Sequence, residues 1–137
     1  MKKIIAAFYA VIMAIFGITA PGDDLVPLAP RDGKYDVLAN TNIDTEGAKR
    51  LAQAADECWN AIINKDVDAW GKACTASFEA QVAMFPNMIS DHVAKAINEY
   101  KDRVKGYKIT GAGGGGYLVL INDTPIEEAI QIRIRRN

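Results

Sequence analysis

The chain has 137 residues, half of them hydrophobic, and its formal net charge at pH 7 is −1. This length suits one domain with a hydrophobic core and is short for a two-domain enzyme. The near-neutral charge argues against nucleic acid as a main partner, and the apolar content excludes a disordered chain. The 2 cysteines, Cys58 and Cys74, are too few for a disulfide framework or a metal site. Both fall on predicted helix faces, so we expect buried, reduced thiols in a reducing compartment, with a disulfide between them as the alternative.

Residues 1–24 are interpreted as an N-terminal segment and linker, and residues 25–137 as the domain. Met1 to Ala20 has a basic start, an apolar centre and small residues near its end, which is the outline of a secretory signal. The run is too short and too interrupted to predict a membrane span. The protein is therefore expected to be cytoplasmic, or exported if this segment is a signal. The alternative is an amphipathic or buried helix, whose apolar residues recur at spacings of three and four: Ile5, Phe8, Ile12, Ile15 and Phe16.

The predicted domain opens with extended chain. The apolar run Leu25–Leu28 predicts a short strand, and Pro27 favours a sheet edge because proline has no N–H to donate to a neighbouring strand. Tyr35–Leu38 is a second candidate for extended chain. Turn-forming residues precede each of these segments, at Pro21–Asp24 and at Pro30–Lys34.

Three helices are predicted next. Pro86 should end the second, because proline cannot continue the helical hydrogen bonds, and Gly106 should close the third. Polar residues with capping side chains are expected at the three N-termini: Asp44 or Thr45, Asp66, and Ser90. Apolar residues at helical spacing give each helix a stripe: Ala48, Leu51, Ala55, Cys58 and Ile62; then Val67, Trp70, Cys74, Phe78, Val82 and Phe85; then Val93, Ile97, Tyr100 and Val104.

After the helices, the apolar pattern changes to the period of a strand. Tyr107–Thr110 alternates, and Tyr117–Ile121 is continuously apolar, as in a central strand. Ile130–Arg135 alternates strictly, so its isoleucines should face a core and its arginines should face outward. One early strand, three helices and three late strands indicate an α+β domain, with the helices covering one face of a four-stranded, mostly antiparallel sheet.

A glycine loop, Thr110–Gly116, joins two of these strands. Five of the six residues from Gly111 to Gly116 are glycine, so the backbone can take positive φ and let another molecule approach it closely. Successive N–H groups in such a loop can form a nest for a phosphate or carboxylate. The alternative is a flexible hairpin connection. The loop is not a Walker A motif, since no Gly-Lys-Ser/Thr follows, nor a Rossmann fingerprint, since a strand follows it.

The loop and its flanking strands resemble the third conserved motif of the GHMP small-molecule kinases, the family of galactokinase, homoserine kinase and mevalonate kinase. The likeness is greatest to the heptose 7-phosphate kinase and fucose kinase branch, in which Gly-Ala-Gly-Gly-Gly-Gly and an aromatic residue follow a lysine-containing strand. Here these residues are Lys108, Gly111–Gly116 and Tyr117. The likeness covers the chain from about Leu25 to the C-terminus. It includes the following earlier segments: Leu25–Leu28, Pro30–Arg31, Leu51–Ile62, Ser77–Gln81 and Met84–Pro86.

The resemblance implies a C-terminal kinase domain with a ferredoxin-like α/β sandwich fold. It implies that the glycine loop packs against an ATP phosphate loop and lines the sugar site. The residues that it assigns to sugar and phosphate binding are Thr110, Gly111, Ala112, Gly113, Gly114, Gly115 and Gly116.

The family's N-terminal domain contributes a phosphate loop of Pro-x-x-x-Gly-Leu-Gly-Ser-Ser-Ala type and an acidic residue that acts as base or magnesium ligand. Neither occurs in these 137 residues. Phosphoryl transfer depends on positioning and on neutralising phosphate charge, and a glycine nest supplies only part of this. We therefore assign no catalytic residue and no metal ligand, and expect ATP and Mg²⁺ to act only in an assembled kinase.

The expected partners are an N-terminal kinase half supplied in trans or a second copy of the chain, together with a sugar or sugar phosphate. A membrane would be a partner only if residues 1–20 were an uncleaved anchor. The alternative function is a non-catalytic α+β module that binds a metabolite, docks a partner or is exported.

Other residues whose side chains could react or bind a ligand have simpler explanations. His92 is interpreted as exposed or capping, because no serine–histidine–acid or metal constellation surrounds it in sequence. Trp59 and Trp70 are expected in core or interface packing rather than ligand stacking. Charged residues are assigned to capping, solvation, surface ion pairs or a charged sheet edge: Asp56, Glu57, Asp66 and Asp68; Arg31; Arg133, Arg135 and Arg136.

Overall fold

The computed structural model describes residues 23–30 and 33–131. These residues form a four-stranded sheet, three α-helices and one short 3₁₀ helix. In chain order the elements are β1 Asp23–Leu28, α1 Thr45–Asn64, α2 Val67–Met84, the 3₁₀ helix Pro86–Met88, α3 Asp91–Tyr100, β2 Gly106–Ile109, β3 Gly116–Ile121 and β4 Ile130–Gln131.

The strands lie in the order β2-β3-β1-β4, and every neighbouring pair is antiparallel. This is the strand order of a ferredoxin-like sheet, in which β3 inserts between the two strands that the helical crossover joins. The expected α+β fold is therefore confirmed. All three α-helices belong to the crossover from β1 to β2, whereas residues 122–129 connect β3 to β4 through turns alone.

Strand β3 is the central strand that its continuous apolar run predicted. Its residues Leu118–Ile121 are all buried, and it pairs with β2 on one side and β1 on the other. The prediction that β1 is an edge strand is wrong, because β4 pairs with its residues Asp24 and Leu25. Pro27 is tolerated although it lies opposite Tyr117 of β3, because Tyr117 directs its N–H and C=O to Thr110 on the other side. The Pro27 nitrogen therefore faces the side of β4, whose pairing stops before it.

The predicted helix starts are confirmed. The side chains of Asp44, Asp66 and Ser90 accept hydrogen bonds from backbone N–H groups in the first turns of α1, α2 and α3. Helix α2 ends just before Pro86, as predicted. The prediction that Gly106 closes the third helix is wrong, because α3 ends at Tyr100 and the chain has already turned into the sheet when it reaches Gly106.

The main core lies between one face of the sheet and helices α2 and α3. Leu118 and Leu120 of β3 pack in one cluster with Phe78 of α2 and with the predicted stripe of α3. The α3 residues in that cluster are Val93, Ile97 and Tyr100, with Val104 packed at its margin. A second cluster joins Ile121 at the end of β3 to Trp70 and to the C-terminal part of α1.

Helix α2 lies along the edge strand β2. The two backbones meet at Gly71 and Gly106, where a Cβ on Gly106 would lie 2.0 Å from the Gly71 carbonyl oxygen. One turn further on, the Thr75 hydroxyl accepts a hydrogen bond from Tyr107 N–H at 3.0 Å and lies 3.4 Å from the Tyr107 carbonyl oxygen. The helix thereby covers an edge that would otherwise present unpaired backbone groups.

Several local predictions are corrected. Tyr35–Leu38 joins no strand, and a turn begins at Val37, where the Asp36 carboxylate accepts the Leu38 N–H. Ile130 is 52% exposed rather than core-facing, because β4 pairs with β1 over only two residues and lies at the sheet edge. Trp70 is in the core, as expected, whereas Trp59 is 59% exposed, so the core alternative is wrong for Trp59 and interface packing stays a prediction.

The stripe predicted for α1 is displaced. Leu51, Cys58 and Ile62 are half-buried or buried, but Ala48 and Ala55 are exposed. The buried residues of this helix are instead Gly47, Ala54, Ala61 and Ile62. Small residues dominate this face because α1 packs closely against α2, its main contact.

Some predictions fall outside the described residues: the signal or helix at Met1–Ala20, Arg31, and the basic residues Arg133, Arg135 and Arg136. His92 is exposed in the first turn of α3, as expected. In the portion that the structure covers, no helix combines the length and the apolar character needed to cross a membrane.

The contact between α2 and β2 predicts a large effect for Gly106→Ala. The added methyl group would meet the Gly71 backbone, so we expect the free energy of unfolding to fall by about 3 kcal/mol. Urea denaturation followed by circular dichroism measures this change. Gly33→Ala is the control, because nothing lies within 4 Å of a Cβ there. Equal stability of the two variants would contradict the close helix–strand contact.

Candidate functional site

The glycine loop, Thr110–Gly116, is the turn of the β2–β3 hairpin. Two hydrogen bonds close its base: Thr110 N–H donates to Tyr117 O at 2.9 Å, and Tyr117 N–H donates to the Thr110 hydroxyl oxygen at 3.2 Å. The hydrogen bonds between Thr110 and Tyr117 therefore fix the position at which the loop leaves and rejoins the sheet. The backbone has positive φ at four glycines: Gly111 (71°), Gly113 (90°), Gly114 (69°) and Gly116 (94°). The number of glycines is thus required by the conformation of the loop.

The centre of the loop rests on the 3₁₀ helix. Gly114 N–H donates to Met88 O at 2.8 Å, and a Cβ on Gly113 would lie 2.7 Å from Met88 Cα. Gly113, Gly114 and Gly115 are buried as a result. The backbone that the sequence predicts to be open to another molecule is therefore exposed only at the two ends of the loop.

The ends of the loop are open. Gly111, Ala112 and Gly116 are exposed, and a Cβ on Gly111 would have nothing within 4 Å. In the described part of the chain, Gly114 supplies the one N–H group between Gly111 and Gly115 that donates to a protein acceptor. Of the remaining residues of this stretch, Gly111 and Ala112 are exposed, so their N–H groups can be reached by a ligand from outside.

The segment that supports the loop is itself held in place. Tyr35 donates from its hydroxyl to Asn87 O at 2.8 Å, and the Asn87 side-chain amide donates to Asp36 O at 2.9 Å. These bonds join the 3₁₀ helix to the turn after β1. Met88 is buried in the main core, so the floor of the loop is continuous with the hydrophobic interior.

Met88 is the site residue that sequence reasoning missed. It lies outside the predicted helical stripes, and its contribution is made through the backbone, which no side-chain pattern reveals. Pro86 is the one sequence feature that could have indicated this role. Proline ends the helix before it, and carbonyl groups at a helix end have no partner within the helix, so they can accept hydrogen bonds from other segments.

Two titratable groups at the hairpin, Tyr107 and Lys105, have shifted pKa values. Burial is the main cause that raises the pKa of Tyr107 above its usual value, with the negative charges of Glu79 and Asp102 adding to it. This phenol is therefore neutral at physiological pH and cannot act as a base. Lys105, at the opposite end of β2, pairs with Asp68 and with Asp123, and these carboxylates raise its pKa.

Grooves elsewhere on the surface are separate from the glycine loop. One lies between α1 and α2, with Arg50, Glu57 and Glu79 among its lining residues. Another lies where α2 meets β2, with Lys72, Lys101 and Lys105 among its lining residues. No loop residue lines either groove. Among the described residues, no three acidic, histidine or cysteine side chains converge as a metal site would require.

Comparison with known proteins gives one informative similarity. A protein of Arabidopsis thaliana named as a bifunctional fucokinase/GDP-fucose pyrophosphorylase is 29% identical to this chain over 99 residues. The matched stretch is 72% of this chain but 9% of that protein, so the chain resembles a small part of a much longer polypeptide. No family model matches the sequence, and no solved structure matches it significantly.

Two glycines of the loop should respond differently to the same substitution. Gly113→Ala combines positive φ with a clash against Met88, so we expect the free energy of unfolding to fall by about 3 kcal/mol. Gly111→Ala has positive φ but open space, so the expected loss is about 1 kcal/mol. Urea midpoints of the two variants and the parent chain measure the difference. If Gly111→Ala were the more damaging change, the docking of the loop on Met88 would be refuted.

Proposed function

We propose that this chain is a sugar-kinase domain of the GHMP C-terminal type, whose glycine loop forms one wall of a sugar and phosphate site. The support is the coincidence of two facts. The chain is similar to part of a protein whose name includes fucokinase activity, and it carries a glycine-rich hairpin with open backbone donors. Fucose or its phosphate is accordingly the first ligand to test.

The observation that carries the proposal is the geometry of the exposed end of the loop. Positive φ at Gly111 and Gly113, on either side of Ala112, is compatible with a nest, in which successive N–H groups bind an anion. A phosphate there would receive hydrogen bonds without needing a side chain. The absence of a Cβ at Gly111 leaves room for it.

We propose that this chain supplies only part of an ATP and magnesium site. In support, the glycine loop is followed by a strand rather than by the helix of an ATP phosphate loop. ATP, when bound in an assembled kinase, supplies the phosphoryl group. The proposed contribution of this chain is to bind and orient the acceptor with the loop N–H groups.

The proposal requires an ATP-binding half from outside these 137 residues. We propose that this half is supplied in trans, with a homodimer as the other assembly to test. We also propose that the protein acts in a reducing, cytoplasmic compartment.

A second candidate function is a structural module without a ligand. It is favoured by the burial of Gly113–Gly115, and by the close approach of Gly113 to Met88, because packing alone gives Gly113 a reason to lack a side chain. In this case the open N–H groups near Gly111 would bind water and nothing else. The two candidates differ in whether the exposed end of the loop binds phosphate.

The phosphate-binding end of the loop can be tested at Ala112. This residue is exposed, so Ala112→Asp should leave the fold intact while its carboxylate repels an anion, and Ala112→Ser is the matched neutral control. In an NMR titration with fucose 1-phosphate, we expect amide shifts at residues 111–113 in the parent chain and in Ala112→Ser. Ala112→Asp should weaken binding at least tenfold, about 1.4 kcal/mol. Loop amides that stay unshifted at millimolar ligand would leave the structural module as the function.

The chain by itself should not phosphorylate sugars. Purified protein incubated with ATP, Mg²⁺ and fucose is expected to give no sugar phosphate above the no-protein control, because no phosphate loop is encoded in these residues. Mass spectrometry of the product detects low turnover, and a full-length fucokinase serves as positive control. Turnover that survives repurification would contradict the assignment of this chain as half of an active site.

A further inference from the structure

Cys58 and Cys74 meet across the helical hairpin formed by α1 and α2. Each lies eight residues from Asp66, the N-cap of α2, so the antiparallel helices place them side by side. Their sulfur atoms are 3.7 Å apart, which is a thiol–thiol contact rather than a disulfide. The two thiols therefore form a contacting pair instead of two separate core residues.

The two sulfurs occupy different environments. Cys74 is buried beside Trp70 and Ile121, whereas Cys58 is half-buried on the outer side of the pair. A hydrogen bond with Cys74 is the largest cause that lowers the pKa of Cys58 to about 7, against the opposing effect of burial. A hydrogen bond with Trp70 and the positive charge of Lys108 lower it further. Cys58 is therefore a substantial fraction thiolate at neutral pH, and the thiolate is the reactive form.

We infer that Cys58 and Cys74 are a redox-active dithiol, in which a hydroperoxide oxidises Cys58 and Cys74 then closes a disulfide between α1 and α2. Cys58 is the attacking residue because it reaches solvent. Cys74 is the resolving residue because it is shielded from the oxidant and already touches the Cys58 sulfur. This site lies apart from the glycine loop, and the inference does not depend on the proposed kinase function.

The reaction balances with one equivalent of hydroperoxide. The Cys58 thiolate attacks the peroxide, an S–O bond forms as the O–O bond breaks, and the departing oxygen takes up a proton to leave as an alcohol, or as water from hydrogen peroxide. Cys74 then attacks the sulfenic sulfur, forming the S–S bond as the S–O bond breaks. The oxygen leaves as water with the Cys74 proton. Two thiols lose two electrons in total, and the peroxide gains them.

The geometry permits the second step with modest movement. A disulfide needs its sulfurs about 2.0 Å apart, so the contact must shorten by less than 2 Å from 3.7 Å. Rotation about the Cα–Cβ bonds supplies movement of this size without separating the helices. Cys58 is half-buried, so its side chain is less confined than that of the buried Cys74.

The experiment exposes reduced protein to one to ten equivalents of hydrogen peroxide and follows intact mass and free thiols. The parent chain should lose two hydrogen atoms and both thiols, yield a disulfide-linked pair of peptides containing Cys58 and Cys74, and recover with dithiothreitol. Cys74→Ser should instead accumulate a sulfenic acid at Cys58 that dimedone traps. Cys58→Ser should keep its remaining thiol at the same dose. Oxidation should raise the melting temperature of the parent chain and leave that of Cys58→Ser unchanged.

The following results would contradict the inference. Direct conversion of Cys58 to sulfinic acid in the parent chain, or disulfides formed between molecules, would overturn the inference. Faster oxidation of Cys74 than of Cys58 would also overturn it. If Cys74→Ser fails to fold by circular dichroism, Cys74→Ala replaces it, and the mass change of the parent chain still decides the matter.

Discussion

Helix α2 meets the edge strand β2 through the glycines at 71 and 106, and the placement of the other elements follows from this contact. Without side chains at these positions, the Thr75 hydroxyl reaches the Tyr107 backbone and closes the edge of the sheet. Phe78, one turn further along α2, then packs edge-to-face on the Tyr107 ring and joins the main core. Because the helix is held along this line, its end at Met84 brings the 3₁₀ helix beneath the glycine loop.

Different residues of the glycine loop pack against the core and remain accessible to solvent. Its middle, Gly113–Gly115, is buried, and the absence of a side chain at Gly113 lets the loop pack against Met88. Its outer end, at Gly111 and Ala112, offers backbone donors to solvent. A ligand for the loop would therefore meet a surface already held in one conformation by the core, which reduces the ordering that binding must impose. The two candidate functions, a structural module and a sugar-kinase domain, therefore depend on different parts of the same loop.

The cysteine pair and the glycine loop, the two candidate functional sites, lie near different halves of α2. The Cys58–Cys74 pair lies toward the N-terminal half of the helix, and the 3₁₀ helix that supports the glycine loop follows its C-terminal end. Each depends on how α2 packs, the first on its contact with α1 and the second on where the helix stops. The similarity to part of a fucokinase-containing protein bears on the kinase proposal and leaves the dithiol to be judged by its geometry and reactivity.

The sequence by itself determined the α+β class, the capping residues of the helices, the buried stripe of α3 and the central position of β3. These features depend on neighbours a few residues apart, which periodicity and capping chemistry reveal directly. Only the tertiary structure decided that β1 lies inside the sheet, that Gly106 begins a strand, that Trp59 is exposed and that the middle of the glycine loop is buried. Each of these depends on contact between segments far apart in the chain, and no local pattern specifies which distant backbone will occupy the space beside a glycine.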